Sequence, residues 1–372
     1  MTYATLLTPP TLGAIAVIQI AGPDATQVVA GMATNPRVPT LAPRQTARSD
    51  LAESGDILDD ALIIRICEHS WEVHVHGGTA VVDAVLRAAA TLGAATTSPE
   101  MARGQGSFGV GLAADVALVL PQALTLTGAR LIAAQADGGL AAWARHWREA
   151  VTAGRLWQLH AAVQWLLTRS ADLGRLLTPP RITLVGAPNT GKSTLANALF
   201  GRPMAITSNT PGTTRDWIDG QTVFVCGEVH VPVLLVDTAG IRETPDRLEQ
   251  ESIARTRQQA ERAELVILVL DATGPGAATG FPACDLIALN KCDLLPDVPA
   301  LRGCVPIIPV SAKTHDGLAE LMSAAVEALD LADIRAEEPF AFAPGQRALL
   351  EEMQHAANVS QAQALLNTLL EA

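Results

Sequence analysis

The only three lysines in this chain of 372 residues are Lys192, Lys291 and Lys313. Each sits in a short string that can handle a nucleotide. A compact ammonium on a thin stem suits places where a planar guanidinium does not fit. Gly186 to Ser193 reads GxxxxGKS, between an apolar strand-like run and a helical run. That context makes it a phosphate-binding loop, in which backbone N–H groups and a helix N-terminus face phosphate oxygens. Gly186, Asn189, Thr190, Gly191, Lys192, Ser193 and Thr194 are therefore expected to hold phosphates. Lys192 should bridge the β- and γ-phosphates, and the Ser193 hydroxyl should ligate Mg²⁺.

Three further strings follow in order, each at the end of an apolar run. Asp237-Thr238-Ala239-Gly240 offers a carboxylate toward Mg²⁺ and, at Gly240, an N–H that can sense the γ-phosphate and switch when it leaves. Asn290-Lys291-Cys292-Asp293 offers a base site. Asp293 can accept two hydrogen bonds from guanine, which adenine cannot supply, and the stem of Lys291 can lie over the base. Ser311-Ala312-Lys313 can aim a backbone N–H at guanine O6. Together they specify GTP and GDP over ATP. In Gly212-Thr213-Thr214-Arg215-Asp216 a threonine should complete the Mg²⁺ shell; Thr214 is preferred over Thr213, although spacing does not decide it. Ile241 follows Gly240, and its alkyl group cannot orient a water, so hydrolysis needs another group.

The elements that must position these strings can be read coarsely. Residues 181–331 alternate strands (181–185, 233–236, 265–270, 286–289, 307–310) with helical runs, the pattern of a doubly wound α/β domain. Residues 1–118 read as a small α+β domain, with strands at 14–20, 61–66 and 71–75 and a helix from about Ala80 to Leu92. Residues 119–178 are rich in Ala, Leu and Trp at helical spacing. Trp143, Trp147, Trp157 and Trp165 are read as helix-bundle core. Thr178-Pro179-Pro180 is a linker, the α/β domain runs over 179–331, and helices over 345–370 lie within a last segment, 332–372.

The formal net charge is -12. Only residues 119–178 and the linker are net basic, so nucleic acid must be held locally or through a partner. Five cysteines without CxxC spacing read as reduced thiols of a cytoplasmic protein. No basic n-region precedes Pro9-Pro10, and no apolar run approaches a membrane span, so neither a signal peptide nor a membrane partner is expected. His74 and His76 share a strand face but have no evident third ligand, so a metal is not expected there.

The chain resembles the bacterial tRNA-modification GTPases of the MnmE (TrmE) family. The resemblance rests on Thr8-Pro9-Pro10, Gly13–Ile18, Ile20–Pro23, Glu72–Gly78, Leu126-Thr127, Asn189, Gly212–Asp216, Asp237–Arg242 and Glu249. It implies a P-loop GTPase domain inserted in a helical domain and preceded by the α+β domain. It implies that Asn189 helps to hold a potassium ion and that Glu249 orients the attacking water. It further implies an FAD-dependent partner, tRNA engaged through that complex, modification of a wobble uridine, and a homodimer formed through an N-terminal domain that binds folate. Gln19 stands where the family has an arginine facing folate, and the family's loop lysine is missing, so weak or absent folate binding is expected. Leu365 to Ala372 carry no cysteine where the family has one. Two functions follow: a GTP-hydrolysing enzyme of wobble-uridine modification, or a GTP-controlled binding switch or ribosome or RNA assembly factor without that chemistry. From the tail, the expectation is that this chain alone does not restore the modification.

Overall fold

A computed structural model describes residues 1–9, 13–98, 111–201, 218–237, 262–274, 283–296 and 304–371, without the side chains of Ile218, Asp219, Asp237 and Glu371. The chain divides into two compact units, one of residues 1–123, 132–167 and 339–372, the other of 124–131 and 168–338.

In the first unit, strands β1 (Tyr3–Leu6), β2 (Ile15–Ala21), β3 (Thr46–Glu53), β4 (Asp56–Cys67), β5 (Ser70–His76) and β6 (Ala95–Thr96) form one sheet in the order β3-β4-β5-β2-β1-β6. Alternation along β2 and β5 sends Ile18, Ile20, Trp71 and Val73 into a core with helices α1 (Ala25–Met32) and α2 (Thr79–Thr91). The other face carries Ile15, Gln19, Leu62, Glu72 and His74, with Gln19 opposite Glu72 and Leu62 opposite His74. Ile15 and Leu62 stay 60% and 44% exposed there.

The helices of this unit share a second core. It joins α3 (Leu112–Val119), α5 (Gly139–Thr152) and the first part of α6 (Leu156–Leu173) with α9 (Pro344–Gln354) and α10 (Val359–Glu371), through Leu140, Leu159, Val163, Leu166, Leu350, Met353 and Leu366. Trp143 and Trp147 pack against it, as the spacing implies. Trp157 and Trp165 do not: they are 71% and 52% exposed. The buried stripe of α6 runs through Leu159, Val163, Leu166 and Ser170, and both tryptophans project from the other side of the helix.

The second unit is the α/β domain. Its sheet has the order β12-β11-β10-β7-β9-β8, with β7 (Arg181–Val185), β8 (Ile218–Cys226), β9 (Val229–Asp237), β10 (Leu265–Asp271), β11 (Leu286–Asn290) and β12 (Ile307–Pro309). All neighbours are parallel except β8 and β9, a hairpin whose first strand the sequence reading missed. After helix α8 (Leu318–Ala328), the unit extends to Glu338 rather than ending near residue 331. Arg169 accounts for the difference: its guanidinium pairs with Glu338 at 2.6 Å and donates to the carbonyls of Asp330 and Asp333. No helix among the described residues is long and apolar enough to cross a membrane.

Gln135 anchors the returning chain to the helices of the first unit. Fully buried, it accepts backbone N–H bonds from Leu140 at 2.8 Å and Phe340 at 3.0 Å. Replacing it with alanine strands two buried donors at about 1–3 kcal/mol each. Gln135→Ala should therefore lower stability by about 2–5 kcal/mol in urea denaturation, and an unchanged midpoint would refute this anchoring role.

Candidate functional site

The carboxyl ends of the parallel strands β7, β11 and β12 gather the described strings singled out above, and β9 ends on Asp237. This is where open α/β sheets bind ligands. The loop after β7 turns at Gly186, φ +153°, where a Cβ would run into the carbonyl oxygen of Val269. It enters α7 (Lys192–Phe200) through Gly191, φ +90°, where a Cβ would meet the amide nitrogen of Asn290. The glycines are thus required by close neighbours as well as by dihedral angle. Between them, Asn189 holds a left-handed φ of +62° without being a glycine. The Thr190 hydroxyl donates to Ala187 O at 2.9 Å, and the buried Lys192 ammonium donates to Gly186 O at 2.9 Å and Ala187 O at 2.8 Å. Lys192, Ser193 and Thr194 open the helix, where unpaired N–H groups and the dipole favour an anion.

Asn290 joins this loop to the segment after β12. Its side chain is 2% exposed. It donates to Thr190 O at 2.9 Å and accepts from Ala312 N at 3.0 Å. Asp293 is oriented by Ser311, whose hydroxyl donates to its Oδ1 at 2.7 Å. A hydroxyl on one carboxylate oxygen leaves acceptor capacity for two further donors. Lys313 is exposed, on the turn after Ala312. Cys292 is a packed thiol: burial pushes it up, and its Sγ donates to Leu289 O at 3.0 Å.

One contributor escaped the sequence reading. Lys291, itself at φ +66°, places its ammonium 2.6 Å from Asp271 Oδ2 and 2.7 Å from Asn189 O. Asp271 ends β10 directly beside Asn290 in the ladder. Its other oxygen accepts from the Thr273 N–H at 2.9 Å and hydroxyl at 2.7 Å. Burial pushes the Asp271 carboxyl up, but Lys291 and Thr273 outweigh it and hold the group below the usual carboxylate value. With a depressed folded value, its stabilisation is complete above the unfolded value near 3.8 and is lost as pH falls below it. An acidic residue closing an apolar strand was the available signal.

Asp237 ends β9 beside Leu184. Its strand position puts Asp237 at the same end of the sheet as the loop before the half-buried Ser193, whose hydroxyl is a hard oxygen donor of the kind Mg²⁺ takes. Thr213, Thr214, Gly240, Ile241 and Glu249 lie outside the described residues.

Comparisons with known proteins identify the family. Residues 2–103 match the family model described as the GTP-binding protein TrmE N-terminus, and residues 181–290 match that of the 50S ribosome-binding GTPases. The tRNA modification GTPase MnmE of Caulobacter vibrioides is 34% identical over 334 residues, 79% of this chain and 73% of the relative. The chain belongs to the MnmE family of tRNA modification GTPases. The Paramagnetospirillum magneticum MnmE is 31% identical over 88% of this chain and 81% of its own length. The G domain of the T. maritima FeoB iron transporter is 26% identical, covering 40% of this chain and 98% of that one with a TM-score of 0.31. As a member of the MnmE family, the chain binds and hydrolyses GTP, and its N-terminal domain is the TrmE type.

Removing the Asn290 side chain should test the union of the two loops. Asn290→Ala should cost about 2–4 kcal/mol of stability and weaken GDP binding by roughly tenfold or more. Urea denaturation and GDP calorimetry check this; native affinity for GDP would show that the loops hold their places without Asn290.

Proposed function

We propose that the chain hydrolyses GTP with the help of potassium, as the GTPase of a tRNA wobble-uridine modification system in the cytoplasm. The observation that carries the proposal is the Asn290 bridge, which ties the loop after β7 to the loop after β12. Gly186, Asn189, Thr190, Gly191 and Thr194 would cradle the phosphates through backbone N–H groups, and Lys192 would neutralise the β- and γ-phosphates. Asn290, Lys291, Asp293, Ser311, Ala312 and Lys313 would form the guanine end. Ser193, Asp237 and Thr214, with Thr213 as its neighbour, would hold Mg²⁺, which neutralises phosphate charge when bound. Gly240 would sense the γ-phosphate. Glu249 would orient the attacking water, a task Ile241 cannot perform.

Asn189 would supply an oxygen ligand to K⁺. It is exposed on the loop, in the left-handed conformation that Lys291 fastens from behind. A cation there would offset developing charge as an arginine finger does.

The domain plan we propose is a GTPase domain inserted in a helical domain. The core shared by helices on both sides of it in sequence supports that plan. A homodimer through the N-terminal domain would cover the open sheet face with its exposed Ile15 and Leu62. An FAD-dependent partner, with tRNA held through the complex, completes the proposal by analogy with the family. Gln19 and Glu72 offer an amide and a carboxylate, not the cation that a folate tail requires, and folate stands outside it.

A second reading, a GTP-controlled switch without the modification chemistry, is favoured by the same Gln19, which is buried opposite Glu72. Mass spectrometry of tRNA nucleosides from a deletion strain carrying this chain separates the two. Recovery of the modified uridine supports the enzyme; intact GTPase activity without recovery supports the switch.

Hydrolysis should be faster in potassium than in sodium, and Asn189→Ala should remove the difference. Glu249→Ala should lower turnover by about two orders of magnitude, as for a lost water-positioning group, with GTP affinity retained. Steady-state rates in the two salts check both; identical rates for the native protein would take the cation out of the mechanism.

A further inference from the structure

Lys291 and Asn189 are non-glycine residues at left-handed φ values of +66° and +62°. One ammonium joins them: Lys291 Nζ donates to Asn189 O at 2.7 Å. The same nitrogen lies 2.6 Å from Asp271 Oδ2. Asp271 is aimed by its surroundings. It pairs in register with Asn290, and its Oδ1 takes both donors of Thr273. The ion pair is partly shielded, with Lys291 and Asp271 side chains 32% and 24% exposed.

We propose that Asp271 is a positioning residue of the guanine-nucleotide site, holding the Lys291 stem extended between the base segment and the phosphate loop. The inference rests on the GTP-site reading above. The physical argument is one of preorganisation. A lysine stem can lie over a base only if its charged end is fixed beyond the base edge. A flexible four-carbon chain loses much rotamer freedom when it is ordered. Asp271 fixes that end before the nucleotide arrives, so less freedom is lost on binding. It also gives the ammonium a counter-charge at the point where it grips Asn189 O, and so steadies the loop conformation on which the phosphates depend. Asn290 links the same two segments by neutral hydrogen bonds, and Asp271 adds a charge-assisted link beside it.

The test is a set of GDP titrations by calorimetry, with Mg²⁺, on the full-length chain and on Asp271→Asn, Lys291→Ala, the double variant and Thr273→Val. Asp271→Asn should weaken GDP binding roughly tenfold, as expected for one lost charge-assisted bond. Thr273→Val keeps the charge but removes an orienting donor, and should weaken binding about threefold. In the Lys291→Ala background, Asp271→Asn should bring no further loss, because its effect runs through that ammonium. Native GDP affinity in both Asp271→Asn and Thr273→Val would overturn the proposal. So would an equal loss from Asp271→Asn with and without Lys291, which marks a merely structural carboxylate. Failure of the native chain to bind GDP would instead bring down the GTP-site reading itself, and this inference with it.

Discussion

The proposed nucleotide site depends first on two hydrogen bonds made by one buried amide. Asn290 holds Thr190 O with its nitrogen and Ala312 N with its oxygen. These bonds tie the loop after β7 to the loop after β12, across the intervening strands β10 and β11. A buried amide that satisfies both its donor and its acceptor side rigidifies whatever it touches. The Gly191 backbone passes so close to it that no side chain fits at that position. Glycine, asparagine and lysine are thus selected here by one crowded geometry.

That geometry stores strain. Asn189, Lys291 and His315 all adopt left-handed φ values that side chains disfavour. Such residues persist where the surroundings over-determine them. Here the surroundings are a nearly solvent-free sheet: Ile182, Leu184, Val185, Ile267 and Val269 are each at or near 0% exposed. The rigid strands hold the loops, and side-chain hydrogen bonds and one ion pair lock what the strands leave free. Tight loops on a stiff sheet suit the proposed task of distinguishing guanine from adenine.

The strings proposed for phosphate and base stand out in the sequence because backbone–phosphate and carboxylate–guanine contacts would tolerate few residue types. Their places on strand ends follow from apolar runs of strand length, and those runs agree with β7, β10 and β11. Other features carried weaker marks or none. Asp271 is marked only as an acid that closes an apolar run, and the register beside Asn290 is what reveals its use. Strand β3, Thr46–Glu53, is an edge strand with a polar sequence, the usual defence of an edge against mispairing, and it gives no hydrophobic run to read. Trp157 and Trp165 share a helix face, but periodicity alone does not say which face is covered. Leu159, Val163 and Leu166 settle that against them. Gln135 is a polar residue in an alanine-rich stretch, and its burial follows from a chain segment that returns some two hundred residues later.

The central claim is that these latched loops make a guanine-specific nucleotide site. Calorimetric titration of the purified chain with GDP and with ADP, both with Mg²⁺, tests it most directly. Asp293, already held by the Ser311 hydroxyl, finds no donor pair on adenine, so two charge-assisted hydrogen bonds at about 1.5–3 kcal/mol each are forgone, roughly a hundredfold or more in affinity. GDP binding with ADP weaker by about that factor is the result expected. Equal affinity for the two nucleotides would contradict it.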